Sequence, residues 1–144
     1  MRDGQINNFI SDIDELARAI IEEVNTIHRQ GYTLNHNPSS TDPDNIAFFK
    51  EITGDYSKDM AVSDEVKADI KNIAAASRID ATSGKPISNE IALGIASLID
   101  QDILEGGTAN IVDYTSSITN RVGQLTRNAK NFLEYSEDTM QIME

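Results

Sequence analysis

Apolar residues recur at steps of three and four along the first part of the chain, which places them on one face of an α-helix. This stripe consists of Ile6, Phe9, Ile10, Ile13, Leu16, Ala17, Ile20, Val24 and Ile27. It ends where His28 and Arg29 offer cations to the carbonyl end of a helix, and where Gly31 tolerates a positive φ. The pattern predicts a long first helix over about residues 5–30.

The stretch 31–62 has a different character, because Asn, Pro, Ser and Asp dominate its middle. Two short β-prone runs, Tyr32–Leu34 and Ile46–Ile52, flank these turn-forming residues. The stretch therefore predicts a small β-hairpin or an irregular arm. After it, Ser63 is a candidate N-cap, and the spacing of the following apolar residues predicts a short helix over about residues 64–77.

A third helix is predicted after the turn at residues 83–86, with Ser88 as its cap and Gly106–Gly107 as its end. Its apolar residues cover a wide arc, so we expect this helix to be the most buried. Gly94 lies in its interior, where glycine is about 1 kcal/mol less favourable than Ala, and this suggests that another backbone approaches closely there.

The last apolar pattern, for which Thr108 is a candidate cap, alternates steps of four and three and forms a heptad seam. Its members are Ile111, Thr115, Ile118, Val122, Leu125, Ala129 and Phe132. We expect the seam to pack antiparallel on the first helix, with Ile118, Val122, Leu125 and Phe132 as the packing residues. No helix stop follows, which indicates that the helix continues as a longer coiled coil.

These elements predict a mainly α fold. We expect an antiparallel helical bundle of two long and two shorter helices, with the arm at 31–62, in a single domain over residues 1–144. The unstopped last helix suggests that this domain is a fragment of a longer chain.

Composition narrows the possible partners and chemistry. The 144 residues include 24 Asp and Glu against 12 Lys and Arg, a formal charge of -12 that disfavours nucleic acid and anionic membranes as partners. No cysteine is present, which excludes disulfides, Cys-ligated zinc and thiol catalysis. No apolar run approaches the roughly 20 residues of a membrane span.

Candidate catalytic and metal sites are weak. The two histidines, His28 and His36, lack a zinc-binding motif, and we interpret them as a helix-end cation and a loop residue. The acidic start at Asp42 resembles a calcium loop, but Ala47 and Thr53 replace the required Gly and Glu, so we reject an EF-hand. We predict no enzyme activity, no cofactor and no metal.

Several short motifs occur in one order along the chain. The first helix ends in Asn-x-x-His-x-x-Gly-Tyr, formed by Asn25, His28, Gly31 and Tyr32, and the paired Phe48 and Phe49 follow. Further pieces lie at 62–66 with 73–77, at 89–98, and at 114–130. In this order they resemble the flagellar hook-associated protein 1 family, the hook-filament junction proteins. The resemblance covers nearly the whole chain but only a C-terminal part of the family's helical core domain.

The resemblance implies a structural protein of the bacterial flagellum without catalytic activity. Its partners would be other copies of itself in a ring, the hook protein, and the next hook-associated protein. Its location would be extracellular, after export by the flagellar type III route without a cleaved signal peptide. The pattern disfavours a flagellin or another hook-associated protein. A helical sensor or ligand-binding module is the alternative, because receptor bundles also have a long helix that leaves the domain.

Overall fold

The structure is a computed structural model that describes residues 2–142; residues 1, 143 and 144 of the predicted domain lie outside the described residues. The fold is mainly helical, with 57% of the residues in helices. The helices are α1 (Arg2–His28), α2 (Tyr56–Asp59), α3 (Asp64–Ala68), α4 (Glu90–Ser97) and α5 (Ile111–Ile142), with 3-10 turns at Ile70–Asn72 and Leu98–Asp100. The two long helices and the mainly α class agree with the sequence-based prediction.

The predicted single domain corresponds to two compact units in the structure. The first unit, Met1–Ile111, contains α1 to α4 and the arm. The second unit, Val112–Glu144, consists of α5.

In the first unit, α1 packs against α2 and α4. Ala17, Ile21 and Val24 of the apolar stripe region are buried, whereas Ile6 and Ile10 near the start of the helix are 52% and 54% exposed. The C-terminal half of α1 therefore supplies the core of this unit, and its N-terminal half does not.

The stretch 31–62 is an irregular arm and not a hairpin. Its β-prone runs do not pair with each other: Tyr32 forms an isolated bridge with Ala76, and Phe49 forms one with Val62. Backbone hydrogen bonds from Lys50 N to Ala61 O (2.8 Å) and from Ser63 N to Phe48 O (2.9 Å) close the second bridge. The first run is thus held by residue 76, after the arm, and the second run is held by residue 62, at the end of the arm.

The helix predicted over 64–77 ends early, at Ala68. Ser63 caps it as expected, since the Ser63 hydroxyl accepts from Val66 N at 3.3 Å. The chain then turns at Asp69, whose carboxylate accepts from Lys71 N at 2.9 Å. Residues 73–76 are not helical: Ala74 N donates to His28 at the end of α1, and Ala76 O accepts from Tyr32 N just after it. Ala75 O accepts from the Ile91 backbone N–H in α4.

The predicted third helix is shorter and less buried than expected. It begins at Glu90, and the Ser88 hydroxyl does not cap it but accepts from Ser77 N at 3.0 Å. Leu93 is 59% exposed, so the prediction of the most buried helix was wrong. Gly94 has a close neighbour, although this is the Ile27 side chain, at 3.4 Å from the position of an added Cβ, and not a backbone.

Between α4 and α5 the chain forms a tight turn closed by a bridge between Leu104 and Ala109. Gly106 and Gly107 have φ values of 69° and 88°, so they shape this turn and do not end a helix. Thr108 does not cap α5, because its hydroxyl donates to Glu105 O at 3.0 Å and α5 begins at Ile111.

Along α5, the predicted packing residues differ in burial. Ile118 is 8% exposed and Leu125 is half-buried, while Val122 is 39% exposed and Phe132 is 71% exposed.

Among the described residues, no helix has the length and apolar character that crossing a membrane requires.

The difference in burial along α5 predicts that two substitutions to Ala will affect stability differently. Ile118→Ala should lower the free energy of unfolding by about 2–5 kcal/mol, because it removes buried methyl groups and leaves a cavity. Phe132→Ala should change it by less than about 0.5 kcal/mol, because the ring is mostly exposed. Urea unfolding of both variants checks the pair; equal effects would contradict this burial pattern.

Candidate functional site

The last turns of α1 and the residues just after it hold together two segments that are distant in the sequence. We call this region the α1 clamp and define it as Asn25, His28 and Gly31 with the segments 44–49 and 74–76. Asn25 and His28 are three residues apart and thus lie on the same helix face. They are 4% and 0% exposed, so each polar atom needs a partner inside the protein.

Asn25 binds the backbone of Phe49 in both directions. The Asn25 Nδ2 donates to Phe49 O at 3.0 Å, and Phe49 N donates to Asn25 Oδ1 at 2.8 Å. The side-chain amide acts here as a neighbouring strand would, since it offers one donor and one acceptor. It fixes the paired Phe residues against α1 where no strand is available.

His28 joins the arm to the segment after α3. Its Nδ1 lies 2.7 Å from Ile46 O, and Ala74 N donates to its Nε2 at 2.9 Å. Because a backbone N–H can only donate and a carbonyl can only accept, the ring must be neutral with its proton on Nδ1. Burial lowers the pKa of His28, which favours the same state.

The prediction of His28 as a helix-end cation is therefore wrong. The ring is buried in the unit and meets the Phe48 ring edge-on, with centroids 5.5 Å apart. Phe48 and Phe49 also contact each other edge-on, at 4.9 Å. The arm thus adds aromatic packing to the hydrogen bonds of the clamp.

Gly31 is required for close approach and not for a left-handed backbone. Its φ is not positive, so the prediction that this glycine ends the helix in a left-handed conformation was wrong. A Cβ at this position would lie 2.8 Å from Ala74 Cβ and 2.9 Å from Ile91 Cγ1. The neighbouring Tyr32 N can therefore donate to Ala76 O at 2.8 Å.

Beyond Gly31 the arm is held by a buried ion pair. His36 Nδ1 lies 2.8 Å from Asp44 Oδ1, and His36 Nε2 lies 3.2 Å from Ser40 O. The other oxygen of Asp44 accepts from Thr33 N at 2.7 Å. The hydrogen bond to the Asp44 carboxylate, more than any other cause, raises the pKa of His36.

Two further contacts shape this part of the arm. Tyr32 packs edge-on against the His36 ring, with centroids 4.8 Å apart, and its hydroxyl donates to Thr41 O at 2.7 Å. Asn45 has a φ of 53°, a conformation that Asn adopts more readily than most residues. This turn lets Asp44 and Ile46, which are next to it on either side, reach different partners.

The structure thus brings six predicted residues into one region: Asn25, His28, Gly31, Tyr32, Phe48 and Phe49. The predicted packing residues Ile118, Val122, Leu125 and Phe132 all belong to the second unit. Sequence reasoning missed Asp44, Ala74 and the role of His36. The small residues at 74–76 were the available signal for Ala74, because small side chains permit close backbone approach.

The chemistry of this region is that of holding a chain in place. The buried polar side chains of Asn25 and His28 bind backbone atoms of other segments, so they are committed to the fold. Within residues 2–142, no group of three or more His, Asp or Glu side chains is placed to hold a metal ion. A cleft of about 480 Å³ beside α1 and α2 is open to solvent and has mixed polar and apolar walls, including Ile10, Asp14 and Lys58.

The bonds of Asn25 predict the effect of exchanging its amide for a carboxylate. Asn25→Asp should lower the free energy of unfolding by about 1–3 kcal/mol, because Phe49 O loses its donor and faces a carboxylate oxygen. Asn128→Asp on the exposed surface of α5 is the matched control and should change stability by less than about 0.5 kcal/mol. Urea denaturation measures both; a neutral Asn25→Asp would show that the pairing with Phe49 is not needed.

The space around Gly31 and Gly94 predicts that exchange to Ala will lower the stability at the first position and raise it at the second. Gly31→Ala should destabilise the protein by about 1–3 kcal/mol, since its Cβ would overlap two side chains. Gly94→Ala should instead stabilise it by up to about 1 kcal/mol, because the new methyl group fits at 3.4 Å from Ile27 and α4 gains a better helix former. Thermal unfolding distinguishes the two, and a stabilised Gly31→Ala would contradict the close approach.

Searches of protein-family models, curated proteins and solved structures found no match to this chain.

Proposed function

We propose that the chain is a structural subunit of the bacterial flagellum, of the kind that joins the hook to the flagellin filament. The observation that carries the proposal is the α1 clamp. Asn25, His28, Gly31 and the paired Phe residues, which carry the resemblance to the junction proteins, have architectural roles there. A motif made of residues with such roles is what a structural family would retain.

The form of the clamp supports an assembly role over catalysis. The side chains of Asn25 and His28 are almost fully buried and bound to backbone partners, so they are not available to a substrate. Their hydrogen bonds hold an irregular arm in one place on α1, and a fixed arm presents a defined surface to a neighbouring subunit. We propose no enzymatic activity and no cofactor for this chain.

Exposed apolar residues supply the second support. Ile6 and Ile10 on α1, and Phe132 and Leu133 on α5, are each more than half exposed. Single exposed apolar residues are common, but several large ones on the same long helix are typical of a surface that packs in an assembly. We propose that such rows form coiled-coil contacts with other copies in a ring, with the hook protein and with the next hook-associated protein.

The proposed arrangement of the helices is an antiparallel bundle in which the start of the α5 seam, up to Ile118, packs on α1, while the exposed Phe132 contacts neighbouring subunits. The proposed location is outside the cell, after export by the flagellar type III route without a cleaved signal peptide. The proposed location follows from the resemblance. The proposed bundle follows from the resemblance and from the heptad spacing of α5.

The proposal can be tested in the organism that encodes the chain. Immuno-electron microscopy with an antibody against the chain should label the junction of hook and filament on purified flagella. Deletion of the gene should leave hooks without stable filaments. Absence of the gene product from purified flagella, or normal filaments in the deletion strain, would overturn the proposal.

A matched pair of variants tests the surface. In the deletion strain, a copy with Phe132→Asp should fail to restore motility, because a charge interrupts the exposed apolar row. Asn128→Asp, one turn away on the same helix, should restore it. Circular dichroism and export of both variants must equal those of the parent chain, so that loss of motility reports assembly and not folding.

A binding assay separates the proposal from the alternative of a helical sensor or ligand-binding module. Such a module needs a pocket in which polar groups converge on a ligand. A small-molecule screen by thermal unfolding should yield no saturable stabilisation if the chain is an assembly subunit. Saturable stabilisation, together with normal filaments in the deletion strain, would establish the alternative.

A further inference from the structure

The two histidines of the chain hold the same arm but require opposite protonation states. His28 binds the end of the arm at Ile46, and His36 binds the middle of the arm at Ser40 and Asp44. We propose that the contacts of the two histidines form a pH-sensitive lock, in which acid releases the 74–76 segment from α1 through protonation of His28 and base loosens the arm over residues 31–49 through deprotonation of His36. This device is independent of the proposed function.

At His28 the geometry allows one charge state. Ala74 N is 2.9 Å from Nε2 and can only donate, so Nε2 must keep its lone pair. Protonation of Nε2 would place two N–H groups against each other in a fully buried site. The bond that joins the 74–76 segment to α1 would then break, and a buried Ala74 N–H would lose its partner.

At His36 the partners demand the opposite state. Both ring nitrogens face oxygen atoms that can only accept, Asp44 Oδ1 at 2.8 Å and Ser40 O at 3.2 Å. Both bonds form only when the ring carries two protons and a positive charge. The His36 side chain is 1% exposed and the Asp44 side chain is 17% exposed, so the ring is closed to water while the carboxylate is partly open to it.

Asp44 is the charged group that bonds to the His36 ring, and it therefore sets the protonation state of this ring. Two other carboxylates near the arm have partners of their own. Tyr32 faces the ring with its edge. The 69–72 turn packs beside the arm, but its Asp69 binds the Asn35 side chain. The loop with Asp80 and Lys85 approaches the arm where Gly84 meets Pro38, and the Asp80 carboxylate is bound to Ser83.

Around His28 the ring meets Ile46 O, Ala74 N and the Phe48 ring. The charged residue next to it in the chain, Arg29, forms an ion pair with Glu51. From α4, the residue that packs against the clamp is Ile91, which is apolar and carries no charge. Burial is accordingly the main influence on its protonation, and burial disfavours the charged form.

The signs of the two effects follow from linkage. The folded pKa of His28 lies below the ordinary 6.5, so its contribution to stability is present above pH 6.5 and is lost as the pH falls through the folded pKa. The folded pKa of His36 lies above 6.5, so its contribution is present below pH 6.5 and is lost as the pH rises through the folded pKa. The 74–76 segment and the arm are therefore both held most firmly near pH 6.5.

Nitrogen-15 NMR of the two imidazole rings in the full chain tests the charge states directly. At pH 6.5, His28 should show the neutral ring with the proton on Nδ1, and His36 should show the imidazolium. The two titration midpoints should lie on opposite sides of 6.5. A charged His28 or a neutral His36 at this pH would overturn the proposal.

Amide hydrogen exchange tests the release of the 74–76 segment in acid and of the arm in base. After correction for the intrinsic exchange rate, protection of Ala74 N–H should fall at least about tenfold as the pH decreases through the His28 midpoint. Protection of Thr33 N–H, which binds Asp44, should fall as the pH increases through the His36 midpoint. The same sign at both amides, or no change at either, would contradict a lock with two releases.

Two arm variants with the same change in net charge provide the control. Asp44→Asn should lower the proton affinity of His36 by at least about tenfold and move its midpoint to 6.5 or below. Asp42→Asn, in the exposed part of the same arm, should leave the midpoint near that of the parent chain. Equal shifts in the two variants would show that net charge, and not the buried pair, sets the state of His36.

Discussion

The neutral imidazole of His28 is the contact on which the rest of the first unit depends, because it joins three segments that are distant in the sequence. One ring nitrogen reaches Ile46 of the arm and the other binds Ala74 after α3. In a site without solvent exposure, a polar atom that loses its partner destabilises the fold by about 1–3 kcal/mol. The arm and the 74–76 segment must therefore approach α1 together.

That approach determines which residues fit around the ring. The backbone of residues 74–76 can reach α1 because Gly31 has no side chain and Ala74 has a small one. The same backbone groups cannot also form helical bonds, since Ala74 N and Ala76 O are already bound to α1 residues or their neighbour Tyr32. This competition explains why no helix extends through residues 74–77, while the extended backbone at Asp69 ends α3 at Ala68.

Sequence reasoning was accurate where local spacing decides the structure. The long stripes of α1 and α5 predicted both helices, because a repeat over many turns outweighs any single tertiary contact. It failed for Ser88 and for the residues after Ala68, where side chains and backbone groups bind distant segments instead. The motif residues of the clamp were found, but their partners are mostly backbone atoms, which have no signature in a sequence. The charge state of His28 was missed for that reason.

The irregular form of the arm is also the physical source of its proposed response to pH. Hydrogen bonds between the backbones of paired strands contain no titratable atom, so they hold equally well in acid and in base. The arm has isolated bridges in place of such a ladder, and side chains take over the positions of the missing strand bonds. Asn25 makes this substitution with an amide, which does not titrate, whereas His28 and His36 make it with rings that do. The 74–76 segment keeps its bond to α1 only while His28 is neutral, and the arm keeps both bonds of the His36 ring only while that ring is charged. A regular hairpin at 31–62 would have removed the second dependence.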